Sequence, residues 1–330
     1  MKVPSSIRHL YDTQLDQNGR LKELVDARLR GLKKDAWHYE SRLKEPESFT
    51  LKVESGRFEN PGELEDFFAC TIVVRNANEI ADAEQLVREH LSLVRRRPDR
   101  DSFTFKEPTT FVFDDLRLYV RWKDDPSLPS TGLESVTFEV QVKTFLQHAW
   151  SIATHDLVYK TANADWGKER LAYQVKAMLE HAEVSIAEAE KLSRAAALAK
   201  TNRSTKKLKD FINLFQSLWD QGDLPQDVRR LAKNVYVIAD AMSITQRGLR
   251  QVLEQEKEAG RGPHIRNLSP YGIVVQTLMK ERRDQFRGML ANPKAGVRVL
   301  IPEELELPVG IDESKCVNAI FVRKTDSHAN

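Results

Sequence analysis

Cysteine is nearly absent. The two in 330 residues, Cys70 and Cys316, cannot build a disulfide framework, and neither stands in a metal-type spacing. Glycine (14) and proline (13) are scarce, which excludes collagen-like and low-complexity chains. No apolar run approaches the roughly 18 residues of a membrane-spanning helix. The opening MKVPSSIRHLYDTQLDQNG also lacks the apolar stretch of a secretory signal. These absences lead us to expect a cytoplasmic protein with no membrane partner. Nor does one sign of charge dominate: 51 Lys and Arg stand against 49 Asp and Glu, a net of +2. With 41% apolar and 30% charged residues the chain can bury an ordinary core, and its length suits about two domains.

The charge balance is uneven along the chain. Residues 201–300 hold 18 Lys and Arg against 10 Asp and Glu, a net of +8, leaving −6 for the remainder. A basic segment of this kind suits a polyanionic partner or, equally, a set of solvated helix faces. The hydrophobic pattern divides in a similar way. Residues 1–40 read as helix on Leu15, Leu21, Leu24, Val25, Leu29 and Leu32, with Asn18-Gly19 as a potential interruption. Strands are predicted at Ala69–Arg75, Leu116–Trp122 and Val136–Lys143, with a helix over Asn78–Leu93. Helices are predicted at 166–200, with an apolar stripe from Leu171 to Ile186, and at 204–220, 226–242 and 244–259. Ser243 and Gln246 form a capping box before the last of these, and Ser269-Pro270 opens a helix to Leu290. Short strands are expected around 297–308 and 316–323. The fold class is therefore α/β (α+β): a mixed sheet with flanking helices over residues 1–200, and a basic, mainly helical module over 201–330.

Several polar residues sit where a purely structural sequence has no need of them. In Ser41-Arg-Leu-Lys-Glu-Pro-Glu-Ser-Phe-Thr-Leu-Lys52, Arg42 and Lys44 alternate as on an extended chain, while Ser48 and Lys52 are one helical turn apart. Three cations and a hydroxyl at a loop-to-helix junction can gather a polyphosphate. Asp66 immediately precedes the apolar run Phe67–Val74. Glu139 stands on a strand whose residues 136, 138, 140 and 142 are apolar, so Glu139, Gln141 and Lys143 share the opposite face. Carboxylates at strands suit Mg²⁺ and its bound phosphates, because hard cations take oxygen ligands. His148 and His155 are seven apart on a helical stretch, which by itself is weak support for a metal.

The order of these motifs resembles the RelA/SpoT alarmone-synthetase family. Its basic R-x-K-x-x-x-S-x-x-x-K stretch is matched by Arg42, Lys44, Ser48 and Lys52, and its strand-opening aspartate by Asp66 in EDFFACTIVV. FEVQVKTFLQHAWSIATHDLVYK matches its E-x-Q-x-[RK]-T strand and the H-x-L-x-Y-K helix end, including Glu139, Gln141, Thr144, His148, Trp150, His155, Tyr159 and Lys160. The resemblance covers about residues 25–195. It implies a nucleotidyltransferase-like fold and a Mg²⁺-dependent pyrophosphokinase that moves the β,γ-pyrophosphate of ATP to the 3′-hydroxyl of a guanine nucleotide. By position, Arg42, Lys44, Ser48 and Lys52 hold ATP, Asp66 binds Mg²⁺, and Glu139 assists the metal and deprotonates the attacking hydroxyl. Phe113, Gln141, His155 and Lys160 serve as acceptor contacts or supports. The forty residues ahead of these motifs are too few for the hydrolase half of long family members.

The match breaks at two places. The arginine that the family carries five positions after its aspartate is Thr71 here, with Arg75 one substitute. The acceptor loop G-Y-R-S-x-H is met only by Val112-Phe-Asp-Asp-Leu-Arg117, where Phe113 keeps the aromatic face and Asp114 replaces the arginine. An acidic residue there repels a polyphosphate. Two alternatives follow. One is transfer to the 3′ end of tRNA, held on the basic 201–300 region or on Arg95-Arg-Arg97, as in toxic small members of the family. The other is a non-catalytic nucleotide sensor. The C-terminal helices are further candidates for an oligomer interface or a regulatory element.

Overall fold

The computed structural model describes residues 2–57, 60–62, 64–101, 107, 115–124, 127, 129–154, 165–259, 268–307 and 312–323. Among them, no helix is long and apolar enough to cross a membrane. The chain divides into two compact units, Met1–Leu198 and Ala199–Asn330.

The first unit is built on a five-stranded sheet: β1 (His38–Leu43), β2 (Phe68–Val74), β3 (Ser92–Arg97), β4 (Leu116–Arg121) and β5 (Thr137–Thr144), in the order β1-β2-β5-β4-β3. β2 and β5 run parallel, and the other neighbours are antiparallel. Side chains alternate across a strand, so each strand supplies both faces. One face is dry. Phe68, Cys70 and Ile72 of β2, Phe138, Val140 and Val142 of β5, and Leu116, Leu118 and Val120 of β4 form a single core there. That core also takes Leu21, Val25 and Leu29 of α1 (Ser5–Leu32) and Ala83 and Val87 of α3 (Ile80–His90). α1 is anchored to β1 by Asp26, which accepts hydrogen bonds from Tyr39 Oη at 2.8 Å and Ser41 Oγ at 3.0 Å. The helix runs unbroken through Gly19, because Asn18 is buried and donates to the Gln14 carbonyl at 2.9 Å instead of ending the turn.

Two strands lie where no strand signal could be read from the residues. β1 and β3 are the sheet edges, and their charged side chains mask the apolar alternation. The predicted helix over 78–93 accordingly stops at His90 and gives way to β3, which carries Arg95–Arg97.

α2 (Pro46–Glu54) links β1 toward β2, starting at a proline suited to the first helical turn. α4 (Phe145–Ala153) follows β5 directly, with a capping box in which Thr144 accepts from the Gln147 amide and Gln147 Oε1 accepts from the Thr144 amide. α5 (Trp166–Ala187) is held against it by Trp150 Nε1 donating to the Ala172 carbonyl at 3.0 Å. The buried Glu183 accepts from Thr144 Oγ1 at 2.8 Å and from the Ala77 amide at 2.7 Å. The stretch predicted as one helix over 166–200 breaks after Ala187, continuing as α6 (Ala189–Arg194). The predicted apolar stripe is largely exposed: Ala172, Lys176 and Glu183 are the buried positions, while Leu171 and Met178 are 60% and 71% exposed.

The second unit packs α7 (Arg203–Leu218), α8 (Val228–Ala241), α9 (Gln246–Glu258), α10 (Pro270–Glu281) and α11 (Arg283–Ala291) around Phe215, Val235, Leu249, Val275, Leu278 and Phe286. The parallel pair β6 (Val299–Pro302) and β7 (Ala319–Val322) matches the two short strands read from the sequence. The helix expected to run to Leu290 divides at Arg282. The cap before α9 is Thr245, whose hydroxyl accepts from the Gly248 amide at 3.1 Å. Ser243 instead takes a left-handed conformation at φ 55° to turn the chain.

Candidate active site

The second face of the sheet is polar, and strand register sets its order. Arg42 pairs with Ala69 and Ala69 with Glu139. In the next row Glu40 pairs with Thr71 and Thr71 with Gln141. Across β4, Tyr119 faces Glu139 and Arg117 faces Gln141. A charged residue in a buried strand needs partners, and Glu139, only 4% exposed, has three. Gln141 Nε2 donates to its Oε1, Arg117 Nη1 lies 3.7 Å from Oε2, and the Tyr119 phenol is near enough for the carboxylate's charge to act on it. Burial and the neighbouring carboxylate push the Tyr119 phenol above its ordinary range. Arg117 also reaches Asp115 at 3.5 Å, and Lys143 approaches Asp115 at 3.8 Å. Arg95 of β3 lies 3.8 Å over the Tyr119 ring.

A second cluster forms where the chain enters β2. Asp66 Oδ2 is held by Lys44 Nζ at 2.9 Å and Lys52 Nζ at 2.5 Å. Lys44 leaves the end of β1 and its amide bonds the Phe67 carbonyl at 2.7 Å, which fixes it beside Asp66. Lys52 arrives from the last turn of α2. Burial tends to raise the Asp66 pKa, but the two ammonium groups outweigh it and hold the carboxyl below its usual range. Burial lowers the Lys44 pKa even with that carboxylate beside it. The other oxygen of Asp66, Oδ1, is buried without a hydrogen-bond partner among the described residues. An orphaned anionic oxygen beside two cations is an oxygen-donor position of the kind a hard divalent cation takes. Both oxygens of Glu139 are already engaged, so its donor set fits a metal less well than Asp66 does.

The sequence-derived residues thus separate into two groups. Lys44, Lys52 and Asp66 meet directly, with Arg42 close enough for its charge to bear on Lys44, and Ser48 one turn ahead of Lys52. Glu139 and Gln141 meet on the neighbouring parallel strand, Asp66 lying three residues before the Ala69 that faces Glu139. Phe113, Asp114, His155, Tyr159 and Lys160 lie outside the described residues. Arg75 does not replace the cation lost at Thr71, because it is paired with Glu79 at the far end of β2. Sequence reading missed the parts played by Arg117 and Tyr119. Their signal was the period-two alternation of β4, which puts residues 117 and 119 on one face; the pairing with β5 could not be seen.

The family described as "Region found in RelA / SpoT proteins" matches residues 41–164, the span holding both clusters. Those residues form a RelA/SpoT-type synthetase domain. Among solved structures, the small alarmone synthetase 1 from Bacillus subtilis is similar at 17% identity and a TM-score of 0.45, covering 56% of this chain and 98% of its own. The same protein bound to its product pppGpp is similar at 16% identity and a TM-score of 0.44, over 56% and 98% of the two chains. A GTP pyrophosphokinase family protein from Streptococcus pneumoniae is similar at 18% identity and a TM-score of 0.42, over 57% and 95%. No curated protein matches the chain.

Proposed function

We propose that the synthetase domain transfers the β,γ-pyrophosphate of ATP to the 3′-hydroxyl of a guanine nucleotide. The observation that carries the reading is the Lys44–Asp66–Lys52 cluster at the entrance to the strand beside Glu139, with a buried carboxylate oxygen that has no partner among the described residues. Arg42, Lys44 and Lys52 bind the triphosphate of ATP, with Ser48 as a hydroxyl contact from the same helix. Mg²⁺ is held through Asp66, with Glu139 nearby, and when bound it neutralises charge on the phosphate oxygens. Glu139 accepts the proton of the ribose 3′-hydroxyl as that oxygen attacks the β-phosphorus. The bond from the β-phosphorus to the oxygen bridging it to the α-phosphorus breaks, and AMP departs with that oxygen. Gln141, Tyr119 and Arg117 orient the Glu139 carboxylate. Lys44 and Lys52 exchange their hold on Asp66 for the phosphates as ATP enters. Phosphoryl chemistry asks for this division of labour: positioning and charge, with little covalent work by the protein.

The test supplies purified protein with Mg²⁺ and γ-labelled ATP, and in parallel GDP, GTP, no second nucleotide, or deacylated tRNA. Label is expected on the guanine nucleotides and absent with Asp66→Asn. Label on tRNA alone would transfer the same chemistry to another acceptor. Binding of ATP with no acceptor labelled would overturn the reading in favour of a nucleotide sensor.

A further inference from the structure

A third group of side chains on the polar face belongs to neither cluster. His38 and Glu40 are two apart on β1, so both point to the polar face, opposite Val73 and Thr71. His148 comes from α4, 110 residues later. The ligand atoms of these three side chains all lie within 4.8 Å of one another. The two imidazole centroids are 5.9 Å apart, and His148 Nδ1 lies 3.9 Å from Glu40 Oε1.

The contacts within the group do not satisfy it. His148 Nδ1 is buried and has no hydrogen-bond partner among the described residues, and 3.9 Å is too long for a bond to Glu40. A buried ring nitrogen left unpaired costs free energy unless something occupies the space in front of it. His38 and Glu40 are exposed and free to rotate toward it. Nor does sheet packing require these residues: the dry face takes none of them, and β1 holds its register through backbone pairing with β2.

We propose that His38, Glu40 and His148 form a binding site for a divalent transition metal of the Zn²⁺ class. Two imidazole nitrogens and one carboxylate oxygen are borderline ligands that favour Zn²⁺ and its neighbours over Mg²⁺. Bond lengths near 2.0–2.1 Å place tetrahedral donors about 3.3 Å apart, so the group closes by roughly 1.5 Å as the two exposed side chains swing in. Three protein ligands leave a fourth position for water or a small ligand. The ion would fasten α4 to β1, across β2, and so join the helix that follows the Glu139 strand to the strand that carries Arg42. This site is separate from the Asp66 position and does not depend on the pyrophosphokinase reading.

The experiment uses the full chain without an affinity tag, stripped with chelator and dialysed. Zn²⁺ is titrated calorimetrically, and Co²⁺ is followed by its visible absorption. The expected result is one equivalent per chain, a tetrahedral Co²⁺ spectrum, and no displacement by a thousandfold excess of Mg²⁺. Glu40→Gln and His38→Ala, both at exposed positions, should each weaken binding at least about tenfold, as should His148→Ala. His181→Ala, outside the group, should bind as the parent does. No stoichiometric binding, or binding that survives Glu40→Gln and His38→Ala unchanged in variants with the parent's circular dichroism, overturns the proposal.

Discussion

The two faces of the central sheet are made by the same strands and differ in almost everything else. On one, Cys70, Ile72, Phe138, Val140 and Val142 are no more than 1% exposed and belong to one hydrophobic core. On the other, one residue away along each strand, Glu139, Gln141, Lys143 and Arg117, with Asp115 at the start of β4, hold one another by hydrogen bonds and ion pairs. Burying charge in this way is seldom a gain in stability over an apolar pair of the same size. The dry face therefore accounts for why the sheet forms, and the polar face is where the proposed chemistry belongs.

Substitutions can break that division. The largest expected effect is at Asp66. Asp66→Asn keeps the shape but removes the anionic oxygens, and transfer should fall about 10⁴-fold while the circular dichroism spectrum is retained. Phe138→Ala, on the dry face of the Glu139 strand, should do the opposite. It should lower stability to urea by about 3–5 kcal/mol and leave the turnover of the folded fraction close to the parent's.

A smaller effect comes from pH. The Asp66 carboxyl has a folded-state pKa below its ordinary value, since Lys52 and Lys44 outweigh burial. A depressed carboxyl contributes stability above its unfolded pKa, near 3.9, and loses it as pH falls through the folded value. The stability gap between parent and Asp66→Asn, measured in urea, should therefore narrow as pH drops below about 4. A gap that widens would contradict the ion-pair assignment. The smallest effect sharpens the polar face itself. Thr71→Arg adds a cation between Glu40 and Gln141, and should lower the KM for ATP by about fivefold with little change in kcat.

How much of this was legible in the sequence follows from the physics of each element. Glu139 and Gln141 could be placed on one face because β5 alternates cleanly, and Asp66 could be placed at a strand entrance because the apolar run begins at Phe67. Lys44 and Lys52 could be grouped by their spacing and by the resemblance. That they close on Asp66 depends on α2 folding back, which no local pattern encodes. β1 and β3 escaped notice because edge strands carry charge on the positions that would otherwise show alternation. The meeting of His38, Glu40 and His148 joins residues more than a hundred apart, and only the strand order β1-β2-β5 brings them together. Arg117 could be placed on an alternating strand and at the end of a poorly matching loop, but its place opposite Gln141 is a matter of register.

The most direct test of the two-face account is Glu139→Gln, assayed for both stability and transfer. The amide fills the same volume and can keep partners among Gln141, Tyr119 and Arg117, but it cannot accept a proton. The account predicts a change in urea stability of less than about 1 kcal/mol together with a loss of transfer of at least about 10²-fold. A variant that loses several kcal/mol of stability while turning over normally would show that the polar face holds the fold and does not serve the chemistry.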